Sequence, residues 1–150
     1  MGLIKGISTR KLESIQGGMA QFYTPQTSNE TMLVQIPAGN IDELFVHHFQ
    51  TDQLLVVRGS FVLVSLHNRQ YQYTLLSEKN PQVLTIPPGI PHGAINLSSE
   101  NCLLVNAVLR HGESHPLDYK PMKPPLPYDL EQVTKLLDYQ NYKILALSNH

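Results

Sequence analysis

Turn-forming residues interrupt the middle of this chain at intervals of roughly 8–12 residues, and that spacing limits its possible folds more than any other feature. The breaks fall at Gly39-Asn40, Thr51-Asp52, Gly59, His67-Asn68, Lys79-Asn80-Pro81, Pro88-Gly89 and Ser98-Ser99. The runs between them, 31–37, 43–49, 53–58, 60–66, 70–76, 83–87, 93–97 and 102–109, are rich in β-branched and large apolar residues. Such runs are too short for ordinary helices, and their composition suits a pleated, half-buried surface. An all-β sandwich or barrel is therefore predicted for this region.

The character changes after residue 110. Five prolines (Pro116, Pro121, Pro124, Pro125, Pro127) fall between 111 and 127. Proline cannot continue a helix interior or a central strand, so this stretch reads as an extended strap over the barrel surface. One helix is then predicted over about residues 129–140. Asp129 is placed to cap it, with Gln132 as the reciprocal partner of a capping box, and Leu130, Val133, Leu136 and Leu137 form one apolar stripe. Before residue 30 the clearest signal is AQFYT, which has the composition of an extra edge strand. The whole chain, 1–150, reads as one domain with its barrel core over about 30–110.

Charge narrows the partners. Eleven basic residues against twelve acidic ones give a net charge of -1, with no basic run to neutralise phosphates, so no nucleic-acid partner is expected. No apolar stretch approaches the ~20 residues of a spanning helix, so no membrane partner is expected either. The opening MGLIKGISTR lacks the long apolar core of a secretory signal. The single cysteine, Cys102, sits in the apolar run CLLVNAVL and reads as a buried small hydrophobe. Together these predict a cytoplasmic protein without disulfides.

Two stretches carry the functional signal. In the first, Gly39 is followed by Phe45, His47, Asp52 and Gly59. In the second, Pro87-Pro88-Gly89-Ile90-Pro91-His92 leads to Asn96. Pro88-Gly89 is a type II turn signal, because proline presets φ at the second position and glycine supplies positive φ at the third. If 43–49 is a strand, Phe45, His47 and Phe49 share one face, buried by the two phenylalanines, while His48 faces out or towards a partner subunit.

The spacing resembles the two motifs of the cupin superfamily, G-x5-H-x-H-x3–4-E-x6-G and G-x5-P-x-G-x2-H-x3-N. The second is matched at Pro87, Gly89, His92 and Asn96, with Pro81 at the leading glycine. The first is matched in its glycines and spacing, with Phe45 at its first histidine and Asp52 at its glutamate. The resemblance implies a double-stranded β-helix, the jelly-roll barrel, followed by the C-terminal helix. It also implies a site for one divalent metal (Fe, Mn, Ni or Zn) at His47, Asp52 and His92, a 2-His-1-carboxylate set of the kind oxygenases use.

The stretches DQLLVVRGSFVLVSL and TIPPGIPHGAINLSSENCLLVNAV are also similar to the RmlC-like branch, the dTDP-4-keto-6-deoxysugar epimerases and ketoisomerases. That branch implies metal-free proton transfer next to a keto group, with His47 or His92 as base. Tyr119 would be the acid, with Tyr71 and Tyr73 also candidates. Phe45, Arg58, Tyr73 and Asn96 would be substrate contacts, and Lys79 a second cation beside Arg58. An epimerase or isomerase of a keto sugar is the leading expectation. A metal-dependent oxygenase and a non-catalytic binding or sensor cupin are the alternatives. A small-molecule substrate and a homodimer are expected in either enzyme reading.

Overall fold

The computed structural model describes residues 6–23 and 27–148, with side chains described to residue 139. Ten strands precede one helix: β1 (Ser8–Lys11), β2 (Glu13–Ile15), β3 (Ala20–Phe22), β4 (Glu30–Ile36), β5 (Gln50–Arg58), β6 (Ser60–His67), β7 (Gln70–Ser77), β8 (Gln82–Ile86), β9 (His92–Ile95), β10 (Cys102–Arg110) and α1 (Leu130–Ser148). A five-stranded sheet in the order β1-β8-β5-β10-β4 faces a three-stranded sheet, β7-β6-β9, and the pairings within both are antiparallel. This is the jelly roll that the sequence implied. Among the described residues no helix is long and apolar enough to cross a membrane.

Strand β6 shows why the run SFVLVSL is apolar throughout rather than alternating. Phe61 and Leu63 point into the core between the sheets, beside Ile36, Leu54, Leu84, Ile86 and Leu104. Val62 and Val64 point the other way into a second core, with Leu44, Ile95 and Val133 of α1. A sheet covered on both faces needs apolar residues on both, and here the helix supplies the outer cover. The turn from β6 to β7 is Asn68-Arg69, one residue later than the predicted His67-Asn68 because His67 still pairs with Gln70, with φ of 52° and 63°. Positive φ at both positions is the type I′ geometry that two-residue hairpins favour. Cys102 is fully buried as predicted, and burial pushes its thiol up to about 11.

The strap and helix are clamped by two tyrosines of β7. The Tyr71 hydroxyl donates to the Leu126 carbonyl at 2.6 Å and accepts the Leu126 N–H at 3.2 Å. The Tyr73 hydroxyl accepts the Asp129 N–H at 2.7 Å. Asp129 caps the helix as predicted, taking the Gln132 N–H at 3.0 Å. The reciprocal half of the predicted capping box is absent, because Tyr73 occupies the Asp129 N–H. The helix also runs further than the predicted 140, to Ser148.

Four expectations are corrected. Residues 43–49 form no strand. Leu44 makes an isolated bridge to Met122 of the strap and Phe45 one to His92, so the segment is divided between two partners and pairs continuously with neither. Consequently Phe49 does not share the buried face of His47; it is 44% exposed and lies against Gly112. The predicted turn at Thr51-Asp52 lies inside β5, which begins at Gln50. AQFYT does contain a strand, β3, but it pairs with β2 in a small separate hairpin and edges neither large sheet.

Phe61 is fully buried in the main core. Phe61→Ala is expected to lower unfolding free energy by roughly 3–5 kcal/mol, measured by urea denaturation.

Candidate functional site

The mouth of the barrel is assembled by backbone pairing between the two motif stretches. Phe45 N–H donates to the His92 carbonyl at 2.8 Å, and His92 N–H returns a bond to the Phe45 carbonyl at 2.9 Å. Two residues further on, the His47 carbonyl accepts the Gly89 N–H at 2.8 Å. Gly89 has φ of 84°, the left-handed conformation required at the third position of the predicted type II turn. At Gly93 a Cβ would stand 2.5 Å from the Glu43 carbonyl oxygen, so only glycine lets segment 41–45 lie this close to β9.

That pairing brings His47, Asp52 and His92 together, as predicted. His47 Nε2 and His92 Nε2 each lie 3.7 Å from Asp52 Oδ2, and the imidazole centroids are 5.2 Å apart. Asp52 is 4% exposed. Its other oxygen, Oδ1, accepts the side-chain amides of Gln50 at 2.5 Å and Asn106 at 3.1 Å. Gln50 in turn accepts Arg110 Nη1 at 2.7 Å, and the same nitrogen reaches the Tyr119 hydroxyl at 3.3 Å. Tyr119 is half exposed, its ring 5.6 Å from that of His47, and lies outside the cavity's own lining. The support from Gln50, Asn106 and Arg110 escaped sequence reasoning. Each reads as an ordinary strand residue, and their convergence is set by the register of β5 against β10.

The imidazoles differ in how they are held. His92 Nδ1 lies 2.9 Å from the Ile90 carbonyl, which can only accept, so Nδ1 carries the proton and Nε2 the lone pair. Burial pushes the His92 pKa below its ordinary 6.5, which favours the neutral ring. His47 Nδ1 is buried without a hydrogen-bond partner among the described residues, so no such contact fixes its tautomer.

The cavity above the trio measures about 250 Å³. Phe45, Leu54, Phe61, Leu63 and Leu104 form its apolar wall, while Asp42, His47, Asp52, His92 and Asn106 supply polar groups. No lysine or arginine lines it among the described residues. Three predicted substrate contacts therefore lie elsewhere. Arg58 is exposed at the far end of β5, six residues and about 20 Å of strand beyond Asp52. Tyr73 holds the helix cap, and burial pushes its hydroxyl pKa up. Asn96 is fully buried and organises the turn after β9, donating to the Ile36 and Glu100 carbonyls. Lys79 lines a different cleft, about 430 Å³ in volume, alongside α1.

The donor set also suits a metal. One ligand atom each from His47, Asp52 and His92 lies within 4.8 Å of the others. His92 and Asp52 are already oriented by second bonds to Ile90, Gln50 and Asn106, as metal ligands usually are, leaving Nε2 and Oδ2 to converge. Phe45 lines the same cavity and cannot ligate.

No protein-family model matches the chain, and no curated protein matches its sequence. Solved structures do match. A dTDP sugar isomerase from Desulfovibrio desulfuricans G20 gives a TM-score of 0.61 at 18% identity, over 77% of this chain and 87% of that one. The dTDP-4-dehydrorhamnose 3,5-epimerase from Sulfolobus tokodaii gives 0.59 at 18% identity, over 88% and 90%. At these identities the likeness is one of fold alone. A third structure, a mutant of the 3,4-ketoisomerase QdtA from Thermoanaerobacterium thermosaccharolyticum in complex with TDP-4-keto-6-deoxyglucose, gives 0.61 at 12% identity, over 77% and 87%. The jelly roll anticipated from the two motifs is thus the fold of these enzymes at low sequence identity.

Because Gly93 meets the Glu43 carbonyl, Gly93→Ala is expected to displace segment 41–45 and cost roughly 1–3 kcal/mol. A denaturation midpoint unchanged from the parent would show that the close approach does not matter.

Proposed function

We propose that the protein is an acid–base isomerase or epimerase of a small keto compound, of the keto-sugar type, working without redox chemistry at His92, His47, Asp52 and Tyr119. One observation carries this reading: a buried imidazole with a fixed tautomer, His92, presents Nε2 to the barrel cavity beside a second imidazole and a carboxylate. A carbon next to a carbonyl loses a proton to a positioned base of near-neutral pKa, and neutral imidazole is such a base. His92 Nε2 takes the proton. Asp52 Oδ2, 3.7 Å away, stabilises the imidazolium that forms, much as a carboxylate does beside a catalytic histidine elsewhere. Tyr119 returns a proton from its own side, and the Arg110 guanidinium at 3.3 Å steadies the phenolate left behind.

The cavity volume suits a single sugar-sized ring. With no cation lining it among the described residues, a diphosphate would have to lie outside. His92→Ala is therefore expected to abolish solvent deuterium incorporation into a candidate keto sugar. Tyr119→Phe should slow it by roughly 10²–10⁴-fold, the usual worth of a general acid. Because the base must be neutral and burial lowers the His92 pKa, the acid limb of kcat/KM should fall below pH 6.5 rather than at it. Exchange unaffected by His92→Ala would contradict the assignment.

A second reading is favoured by the convergence of the three donors: a metalloenzyme in which His47, Asp52 and His92 hold one divalent ion. Bound there, the ion would supply Lewis acidity and open positions for substrate. Protein purified without chelator decides it. Near one equivalent of Fe, Mn, Ni or Zn, lost in Asp52→Asn, would favour the metal; less than about a tenth of an equivalent would exclude this reading.

A homodimer is also proposed. On the outer face of the five-stranded sheet, register aligns Leu33, Val105 and Leu55 in one apolar row, with Leu33 72% and neighbouring Val57 52% exposed. Sedimentation should give twice the 16.9 kDa chain mass, and Leu33→Arg should return the monomer. A monomer before any substitution would refute it.

A further inference from the structure

Outside the barrel mouth, a second set of imidazoles and a carboxylate converges where the strap crosses segment 41–49. Asp118 is 2% exposed, although it lies in the proline-rich strap. Its Oδ1 lies 2.8 Å from His48 Nδ1 and accepts the His48 backbone N–H at 3.3 Å. Its Oδ2 accepts the His115 backbone N–H at 2.9 Å. An ionised carboxylate can only accept, so His48 Nδ1 carries the proton and Nε2 keeps a lone pair, on a side chain that is 48% exposed. That bond engages His48 Nδ1, and on the neighbouring ring His115 Nδ1 accepts the Leu117 N–H at 3.1 Å. The His115 ring stands 5.4 Å from that of His48, centroid to centroid. One ligand atom from each of His48, His115 and Asp118 lies within 4.8 Å of the other two.

We propose that His48, His115 and Asp118 form a second, surface metal site, distinct from the barrel trio, that takes a divalent transition-metal ion such as Zn²⁺. Imidazole and carboxylate donors suit that class, whereas a Ca²⁺ or Mg²⁺ site would be built mainly from oxygen. In a tetrahedral zinc site, bonds of about 2.0–2.1 Å put ligand atoms about 3.4 Å apart, so the cluster must contract by about an ångström. The two exposed imidazoles can do this by rotating, which exchanges the His48 Nδ1–Asp118 bond and the Leu117 N–H bond to His115 for bonds to the ion, while backbone N–H groups hold Asp118 still. Solvent access leaves the fourth position to water. The bound ion would staple the strap to segment 41–49 one residue before Tyr119, so that occupancy governs how firmly Tyr119 is held over His47.

The test uses tag-free protein carrying His47→Ala and His92→Ala, which removes the barrel site, and calorimetric titration with Zn²⁺ alone. One equivalent should bind, and adding His48→Ala or His115→Ala should weaken it by at least about tenfold, as loss of a ligand does. Absence of binding, or binding indifferent to both further substitutions, would overturn the proposal. If the doubly substituted protein does not fold, the comparison is made in the unsubstituted chain. There His48→Ala must remove one zinc equivalent, and an unchanged count is equally fatal. Neither outcome depends on any activity of the barrel site.

Discussion

The reciprocal backbone pair between Phe45 and His92 is the contact on which the site rests. It joins two stretches far apart in sequence, the irregular segment 41–49 and the first residue of β9. Each makes its neighbours possible: Phe45 fixes the start of the chain that carries His47, and His92 opens β9. The approach is close enough that Gly93 must have no side chain. Leu44, next to Phe45, bonds to Met122 of the strap and is buried in the second core. The same short segment thus ties mouth, strap and helix-facing core together.

A second constraint is the charge beneath that pair. Asp52 is buried among apolar side chains, where an unsatisfied carboxylate would be costly. Two side-chain amides occupy Oδ1, and two imidazoles approach Oδ2. At 3.7 Å those imidazole contacts are too long for hydrogen bonds, so they are electrostatic neighbours with room for a proton or a cation between them. The point where Asp52 Oδ2 meets the two imidazoles is the chemically unfinished part of the structure. Both functional readings complete it, one with a proton in transit and the other with a metal. Arg110 extends the network outward, bonding Gln50 on the inner side and Tyr119 on the outer, so that carboxylate and phenol are positioned from one guanidinium.

Much of this was legible in the sequence. Turn residues marked the strand boundaries from β6 through β10 closely, because a pair such as Pro88-Gly89 imposes a local backbone conformation that needs no tertiary help; the β6–β7 turn, read at His67-Asn68, falls one residue later. The PxGxxHxxxN stretch located His92 for the same reason. What failed was judgement of segments whose form depends on distant partners. Residues 43–49 alternate like a strand, yet bond in opposite directions. Tyr73 and Asn96 looked like site residues by position, but their polar atoms are used for capping a helix and closing a turn. Arg58 shares a strand with Asp52 and is separated from it by nearly the full strand length. The short strand β1 was unreadable because its residues, exposed and polar, owe their order to pairing with β8.

The central claim is that the fold holds His92 neutral at pH about 7, with the proton on Nδ1 and the lone pair on Nε2. Nitrogen-15 spectroscopy of histidine-labelled protein reads that directly. The account predicts a protonated Nδ1 and an unprotonated Nε2 for His92, persisting as the pH is lowered through 6.5. A His92 ring that is doubly protonated at neutral pH, or that carries its proton on Nε2, would contradict it.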